Sequence, residues 1–267
     1  MRLHLRAPLR PPLRARSRAP LRFLLAALFL SGLALPPSAT SAGADEFTAA
    51  QRTEIVKIIR DALKRDPSIL REAVIALQAE DGEREKSAAR AAVSAARDAL
   101  VTPDDPVAGN PRGNVTIVEF FDVRCPYCRK LEPEMSAFLA SDPDVRLVYK
   151  DLPILGAPSV LGTKALLAAQ KQGAYEKLRD ALMRVPPDIT RAAVETQAKQ
   201  LGLDSNRLLR DMDDPSLQQR IDANLQLAQR LGIQGTPAMV IGEDMLDGAV
   251  NAAELKRAVA QARAGKK

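Results

Sequence analysis

The two cysteines of this 267-residue chain lie three positions apart, directly after an apolar run. Residues 114–121, NVTIVEFF, are rich in β-branched and aromatic side chains, which predicts a buried strand. Residues 127–140 or so then read as a helix that ends at Ser141-Asp142-Pro143. A strand that leads into a helix at Cys125 places this thiol at the helix N-terminus, where unpaired N–H groups and the helix dipole favour a thiolate.

This position predicts different roles for the two thiols. A helix N-terminus lowers a cysteine pKa from about 8.5 into the range of about 3.5–7.5. Cys125 is therefore predicted to be the attacking nucleophile, and Cys128, one turn deeper in the helix, the resolving thiol. Pro126 begins the helix, and Tyr127 is the other intervening residue. A purely structural bridge is the alternative, but it would close a two-residue loop, and disulfide stabilisation grows with loop length.

The rest of the C-terminal region alternates between strand and helix patterns. A second strand is predicted over 145–152, and helical patterns continue to Gly232. A strand returns at 237–242, with a short partner near 245–246, and a helix closes the chain. This order predicts an α/β fold, a mixed central sheet with a helical insertion over about 157–232.

The region before this domain reads as helix from 47 to 100. A break is predicted at Asp66-Pro67, because proline favours the first turn of a helix. Its apolar stripes are narrow, and EDGEREKSAARAAVSAARDAL is strongly helical with little to bury. Residues 45–100 are therefore predicted to be a helical N-terminal arm for oligomerisation. Residues 101–113, with three prolines and two glycines, are predicted to be a linker that leads into the domain.

Residues 1–44 have the pattern of a secretory signal peptide. Arginines precede an apolar run from Phe23 to Leu35, and small residues follow, with predicted cleavage after Ala42 or Ala44. A membrane anchor is the alternative, but spanning needs about 20 apolar residues. The segment holds seven of the 39 basic residues and none of the 33 acidic ones, so the remaining chain is nearly neutral and predicts no nucleic-acid partner.

Composition also excludes several kinds of site. The one histidine, His4, lies in the predicted signal peptide. Hydrolysis by a Ser-His or Cys-His pair is therefore excluded, and two cysteines without histidine predict no metal site of the zinc type and no cofactor. Export would place the thiols where a disulfide forms and persists.

Three segments, VEFFDVRCPYC, VYKDLPILG and GIQGTPAMVIG, together resemble the DsbA family of thioredoxin-fold thiol-disulfide oxidoreductases. The resemblance implies a domain over 104–267, and the N-terminal extension is similar to that of ScsC-type members. Glutaredoxins share CPYC, but export and the long helical insertion argue against that group.

The resemblance implies further site residues. Pro237 matches the family's cis-proline, whose loop lies against the active-site cysteines and receives substrate backbone, and Thr236 precedes it. Glu119 matches the acidic group buried beneath the active site, with Lys150 predicted as its partner. Since a buried carboxylate without partners is costly, Glu119 is predicted to relay the proton of the resolving thiol. An ordinary ion pair at the core edge is the alternative for Glu119.

The predicted function is an exported, periplasmic thiol-disulfide oxidoreductase with a Cys125–Cys128 redox disulfide. Its predicted partners are client proteins with thiols or disulfides, a membrane redox partner that reoxidises or reduces it, and copies of itself. The direction of the reaction remains open: the protein either oxidises its clients, or isomerises or reduces disulfides already made. The direction depends on the reduction potential of the thiol pair, and a difference of 30 mV corresponds to only about 1.4 kcal/mol. A non-catalytic exported binding module on the same fold is the remote alternative.

Overall fold

A computed structural model describes residues 47–265, and the predicted signal peptide lies outside the described residues. These residues divide after Ala62 into two compact units, which are described separately. The helices are α1 Ala49–Arg65, α2 Ser68–Ala95, α3 Arg97–Leu100, α4 Pro126–Ser141, α5 Ala157–Gln170, α6 Tyr175–Arg184, α7 Arg191–Gln200, α8 Ser205–Asp211, α9 Pro215–Leu231 and α10 Ala252–Ala264. The strands are β1 Val107–Gly109, β2 Val115–Phe121, β3 Val145–Asp151, β4 Ala238–Ile241 and β5 Asp244–Asp247.

The strands form one sheet in the order β1-β3-β2-β4-β5. β2 and β3 pair in parallel, and the other three pairs are antiparallel. The central place of β2 follows from its sequence, since it is apolar on both faces, as expected of a strand covered on both sides. Because parallel strands need a crossover connection, α4 lies between β2 and β3 in the chain. The predicted mixed sheet and the helical insertion, α5 to α9, are both confirmed.

The two faces of the sheet bury different cores, because successive strand residues point to opposite sides. One face carries Ile117, Phe121 and Tyr149 and packs against α4 and the helical insertion. The other carries Phe120 and Val148 and packs against the C-terminal part of α9, the last helix of the insertion, and against the C-terminal part of α2. A residue's position in β2 or β3 therefore decides which of the two interiors its side chain enters.

The N-terminal helices bury little of their apolar surface. None of the residues of α1 is buried, and Val93 is the only buried residue of α2. The break between the helices lies where proline predicted it, and the Asp66 carboxylate accepts hydrogen bonds from the backbone and the hydroxyl of Ser68. Both helices therefore present apolar side chains to solvent.

The structure differs from the predicted arm and linker at residues 93–109. Val93, Ala96 and Leu100 are buried in the core beneath Phe120, so the end of the helical region packs against the sheet. β1 lies inside the predicted linker and pairs with β3. The three prolines in residues 101–113 prevented recognition of this strand from the sequence, although a three-residue edge strand tolerates a neighbouring proline.

None of the helices in the described part of the chain is both long enough and apolar enough to cross a membrane.

Candidate thiol-disulfide active site

The Cys125 thiol lies at the start of α4, where the predicted strand-helix junction forms. Cys125 is the N-cap residue, and Pro126 occupies the first turn. The backbone N–H groups of Tyr127 and Cys128 favour the ionised form of the Cys125 sulfur. Proline suits this place because the N–H that it lacks would have no partner within the helix. The helix therefore presents unpaired donors to this sulfur.

Hydrogen bonds to the Cys125 sulfur favour its thiolate form. Its pKa is lowered to about 5, chiefly by a hydrogen bond from the Cys128 side chain, with smaller contributions from Thr236 and the two backbone N–H groups; burial opposes the shift. In the thiol form, Cys125 Sγ donates to the carbonyl oxygen of Thr236 at 3.1 Å. Much of the Cys125 thiol is therefore ionised at neutral pH, which is the nucleophilic form.

The Cys128 thiol is in the opposite environment. It is fully buried, and both cysteines are in the free thiol form. Burial raises the pKa of Cys128, and its hydrogen bond to Cys125 and the charge of Glu119 raise it further. Cys128 therefore keeps its proton and donates a hydrogen bond to the Cys125 thiolate.

The Thr236-Pro237 loop lies beside the cysteines because of the strand pairing. β4 runs antiparallel to β2, with Ala238 opposite Phe120, so the loop before β4 meets the turn after β2. The Thr236-Pro237 peptide bond is cis. The structure thus brings Thr236, Pro237, Cys125 and Cys128 together, while the Tyr127 side chain is 62% exposed at the outer edge of the site.

Glu119 lies beneath the cysteines without a hydrogen-bond partner. Its carboxyl group is buried, and neither oxygen accepts a hydrogen bond. Burial raises the pKa of Glu119 to about 7, Glu132 raises it as well, and the Arg179 cation limits the rise. A carboxyl group in this state can accept or release a proton near neutral pH.

The predicted pairing of Glu119 with Lys150 is wrong. Lys150 lies beside Phe120 in the sheet, and the neighbour of Glu119 is Tyr149. Lys150 therefore enters the other interior, where its ammonium group lies 2.7 Å from a carboxylate oxygen of Asp105 in a buried ion pair. The prediction was wrong by one residue. Because side chains alternate along a strand, a shift of one residue places a side chain on the opposite face of the sheet.

Two residues of the site escaped the sequence analysis. The Asp122 carboxylate accepts from the backbone N–H groups of Arg124 and Leu155 and from the Ser159 hydroxyl, and so holds the turn before Cys125 to the start of α5. An aspartate at a strand end is typical of such turns and could have been found. Arg179, which supplies the cation near Glu119, comes from α6 in the insertion, and no local pattern indicates it.

Family models match two parts of the chain. Residues 116–260 match the DSBA-like thioredoxin domain, and residues 51–84 match the copper resistance protein ScsC N-terminal domain. The chain therefore belongs to the DsbA-like thioredoxin family, and within it the protein is ScsC-like.

Solved structures of similar proteins agree with this assignment. A thioredoxin-like oxidoreductase from Silicibacter pomeroyi is 43% identical, with a TM-score of 0.61 over 62% of this chain and 97% of that one. Proteus mirabilis ScsC in a transitional conformation is 32% identical, with a TM-score of 0.60 over 82% of this chain and all of that one. The Na(+)/H(+) antiporter NhaA 3 of Salinispora tropica is 30% identical over 61% of this chain. The chain spans about a quarter of the length of this antiporter and of the two other antiporters that it matches.

Proposed function

We propose that this protein is an exported thiol-disulfide oxidoreductase that acts on the cysteines of periplasmic proteins. The observation that carries the proposal is the difference between its two thiols. Cys125 lies at a helix N-terminus with its pKa lowered to about 5, whereas Cys128 is buried and holds its proton. A fixed attacking thiol beside a fixed resolving thiol is the arrangement that stepwise disulfide exchange requires.

The reaction proceeds through a mixed disulfide. When the dithiol form reduces a client, the Cys125 thiolate attacks one client sulfur and expels the other as a thiolate. Cys128 then gives its proton to Glu119 and attacks Cys125, so that the Cys125–Cys128 disulfide forms and the client leaves with two reduced sulfurs. Oxidation of a client is the reverse sequence, and the two electrons pass to or from the membrane redox partner.

Single-cysteine variants test this mechanism. Cys125→Ser is expected to abolish exchange with a peptide disulfide, and Cys128→Ser is expected to accumulate mixed disulfides, which alkylation and mass spectrometry would detect. Trapping by Cys125→Ser instead would reverse the two roles. Full retention of function in cells by Cys125→Ser would favour the non-catalytic binding module.

The N-terminal helices favour a second candidate, an isomerase that works as a homo-oligomer. Ile58 of α1 is 59% exposed, as are Leu70 and Leu77 of α2, and this segment matches the ScsC N-terminal domain. Apolar side chains in such number are normally covered, and a closed symmetric assembly of identical chains would cover them. Several active sites in one assembly would suit the repair of wrongly paired disulfides.

Charged substitutions in these helices separate the two candidates. Ile58→Glu with Leu70→Glu is expected to give a monomer by light scattering, because carboxylates would enter the apolar interface. Arg71→Ala is the matched exposed control. An oligomeric isomerase would lose repair of scrambled ribonuclease in the double variant while it keeps simple exchange with a peptide. Equal repair by the monomer would leave the general oxidoreductase as the function.

A further inference from the structure

A buried arginine lies beneath the active site, outside the exchange mechanism described above. Arg179 of α6 is 1% exposed. Its guanidinium carbon lies 4.4 Å from the centre of the Tyr149 ring and 5.2 Å from that of Phe121. One nitrogen donates to the Glu132 carboxylate, another donates to Asp180 at 3.1 Å, and Nε has no partner. Two carboxylates therefore pair with this buried cation, and its Nε is left without a hydrogen bond.

The geometry places this cation next to Glu119. Tyr149, on whose ring the guanidinium lies, is directly beside Glu119 in the parallel pairing of β2 and β3. Arg179 and Glu119 also interact electrostatically, and the Glu119 oxygens have no hydrogen bond. Arg179 therefore offsets the charge of this carboxylate.

Glu132 connects the same cluster to Cys128 and to the surface. It lies four residues after Cys128 in α4, hence on the same side of that helix. Its side chain is 27% exposed, whereas that of Arg179 is 1% exposed. The other ionisable side chains around Glu119 and Arg179 are Cys128 on α4, Tyr149 and Asp151 on β3, and Tyr175, Glu176 and Asp180 on α6.

We infer that Arg179 and Glu132 form a positioning pair that controls when Glu119 exchanges a proton with Cys128. The inference rests on the proposed function and assigns to the helical insertion a part in the chemistry. In the resolving step, the Cys128 S–H and the Glu119 carboxylate become a thiolate and a carboxylic acid, and the thiolate then attacks Cys125. Arg179 stabilises the carboxylate before the transfer, and Glu132 limits that stabilisation, so that Glu119 still accepts the proton.

Variants of the pair are expected to move the pH dependence of client release in opposite directions. An opposite charge within about 4–6 Å lowers a carboxyl pKa by about 1–3 units. Arg179→Met should therefore shift the midpoint of the release phase upward by about 1–3 pH units. Glu132→Gln removes a negative neighbour and should shift it downward, and Arg179→Lys, which keeps the charge, should restore most of the normal midpoint.

The decisive measurement is stopped-flow release from a peptide mixed disulfide between pH 5 and 9, with infrared titration of the Glu119 carboxyl stretch as a readout independent of activity. Glu119→Gln assigns the infrared band, and Arg184→Met on the same helix is the control, with an unchanged midpoint. Opposite shifts for Arg179→Met and Glu132→Gln support the inference, because a structural defect would not change sign. If Arg179→Met does not fold, the downward shift of Glu132→Gln alone carries the test.

The inference would be overturned if Arg179→Met and Glu132→Gln both left the midpoint of client release unchanged while its pH dependence still required Glu119. The proposed function would remain valid in that case. The proposed function itself would fail differently, through a Cys125→Ser variant that still exchanges disulfides.

Discussion

Apolar and charged side chains that are exposed in the N-terminal helices have buried counterparts in the thioredoxin domain. Ile58 and Ile59 of α1 are more than half exposed, whereas Phe120 in β2 is fully buried. Charged groups differ as well, since Glu80 and Arg84 of α2 form an exposed ion pair, whereas Glu119 is buried without a hydrogen bond. The comparison indicates that the sheet buries its apolar side chains on both faces, while α1 and most of α2 leave theirs exposed.

The largest expected difference lies between the domain core and α1. Phe120→Ala should lower the free energy of unfolding by about 3–5 kcal/mol, because it leaves a cavity between the sheet and its covering helices. Ile59→Ala should change it by less than about 0.5 kcal/mol in the monomer, as is usual at the surface. Urea unfolding at low protein concentration measures both values, and a large effect of Ile59→Ala that grows with concentration would indicate burial of α1 in an oligomer.

The boundary between the two regions gives the next prediction. Leu100 is in the core although it ends the helical segment, so Leu100→Ala should cost about 2–4 kcal/mol. Leu70→Ala, at an exposed position of α2, is the matched control and should be nearly neutral. Equal small effects would mean that the whole helical segment is separate from the domain, and a truncation near Pro103 would then leave a stable domain.

The buried carboxyl group should make stability depend on pH. The pKa of Glu119 rises from 4.5 to about 7 on folding, so the folded state binds more protons than the unfolded state in this interval. Stability is therefore lost as pH rises from about 4.5 to 7, by up to about 3 kcal/mol. Glu119→Gln removes this loss and should exceed the parent protein in stability at pH 8 but match it near pH 4.

The exposed pair of α2 is the control for this prediction. Glu80→Gln should change stability by no more than about 0.5 kcal/mol at either pH, because solvent screens an exposed ion pair. Chemical unfolding of the parent protein, Glu119→Gln and Glu80→Gln at pH 4 and pH 8 measures these differences. The same change of stability with pH in both variants would contradict the prediction.

The smallest effect is expected from the Cys125 thiolate. Its pKa falls from 9.0 to about 5 on folding, so the reduced protein gains stability that is fully present above pH 9 and is lost as pH falls through about 5. With allowance for solvent screening, this contribution amounts to about 1–2 kcal/mol at pH 7. The reduced parent protein should exceed Cys125→Ser by this margin at pH 7, and the gap should close near pH 5. A gap that persists unchanged at pH 5 would contradict the lowered pKa.

The sequence by itself determined those features that depend on neighbouring residues. Apolar runs located β2, β3 and β4, the Asp66-Pro67 break separated two helices, and the strand-helix junction at Cys125 indicated unequal thiols. Each of these signals is local, because periodicity, proline geometry and helix ends act over a few residues. The place of Pro237 beside the cysteines came from resemblance to a family, and the pairing of β4 with β2 explains it.

Only the tertiary structure decided which side chains meet across the interior. Lys150 and Tyr149 are adjacent in sequence, yet the register of β2 and β3 places Tyr149 beside Glu119 and sends Lys150 to Asp105. Arg179 reaches the space beneath the active site from a helix 60 residues away from Glu119 in the chain. Such contacts depend on how whole elements pack. Because side chains alternate between the two faces of a strand, an error of one residue in the predicted register places a side chain on the opposite face of the sheet.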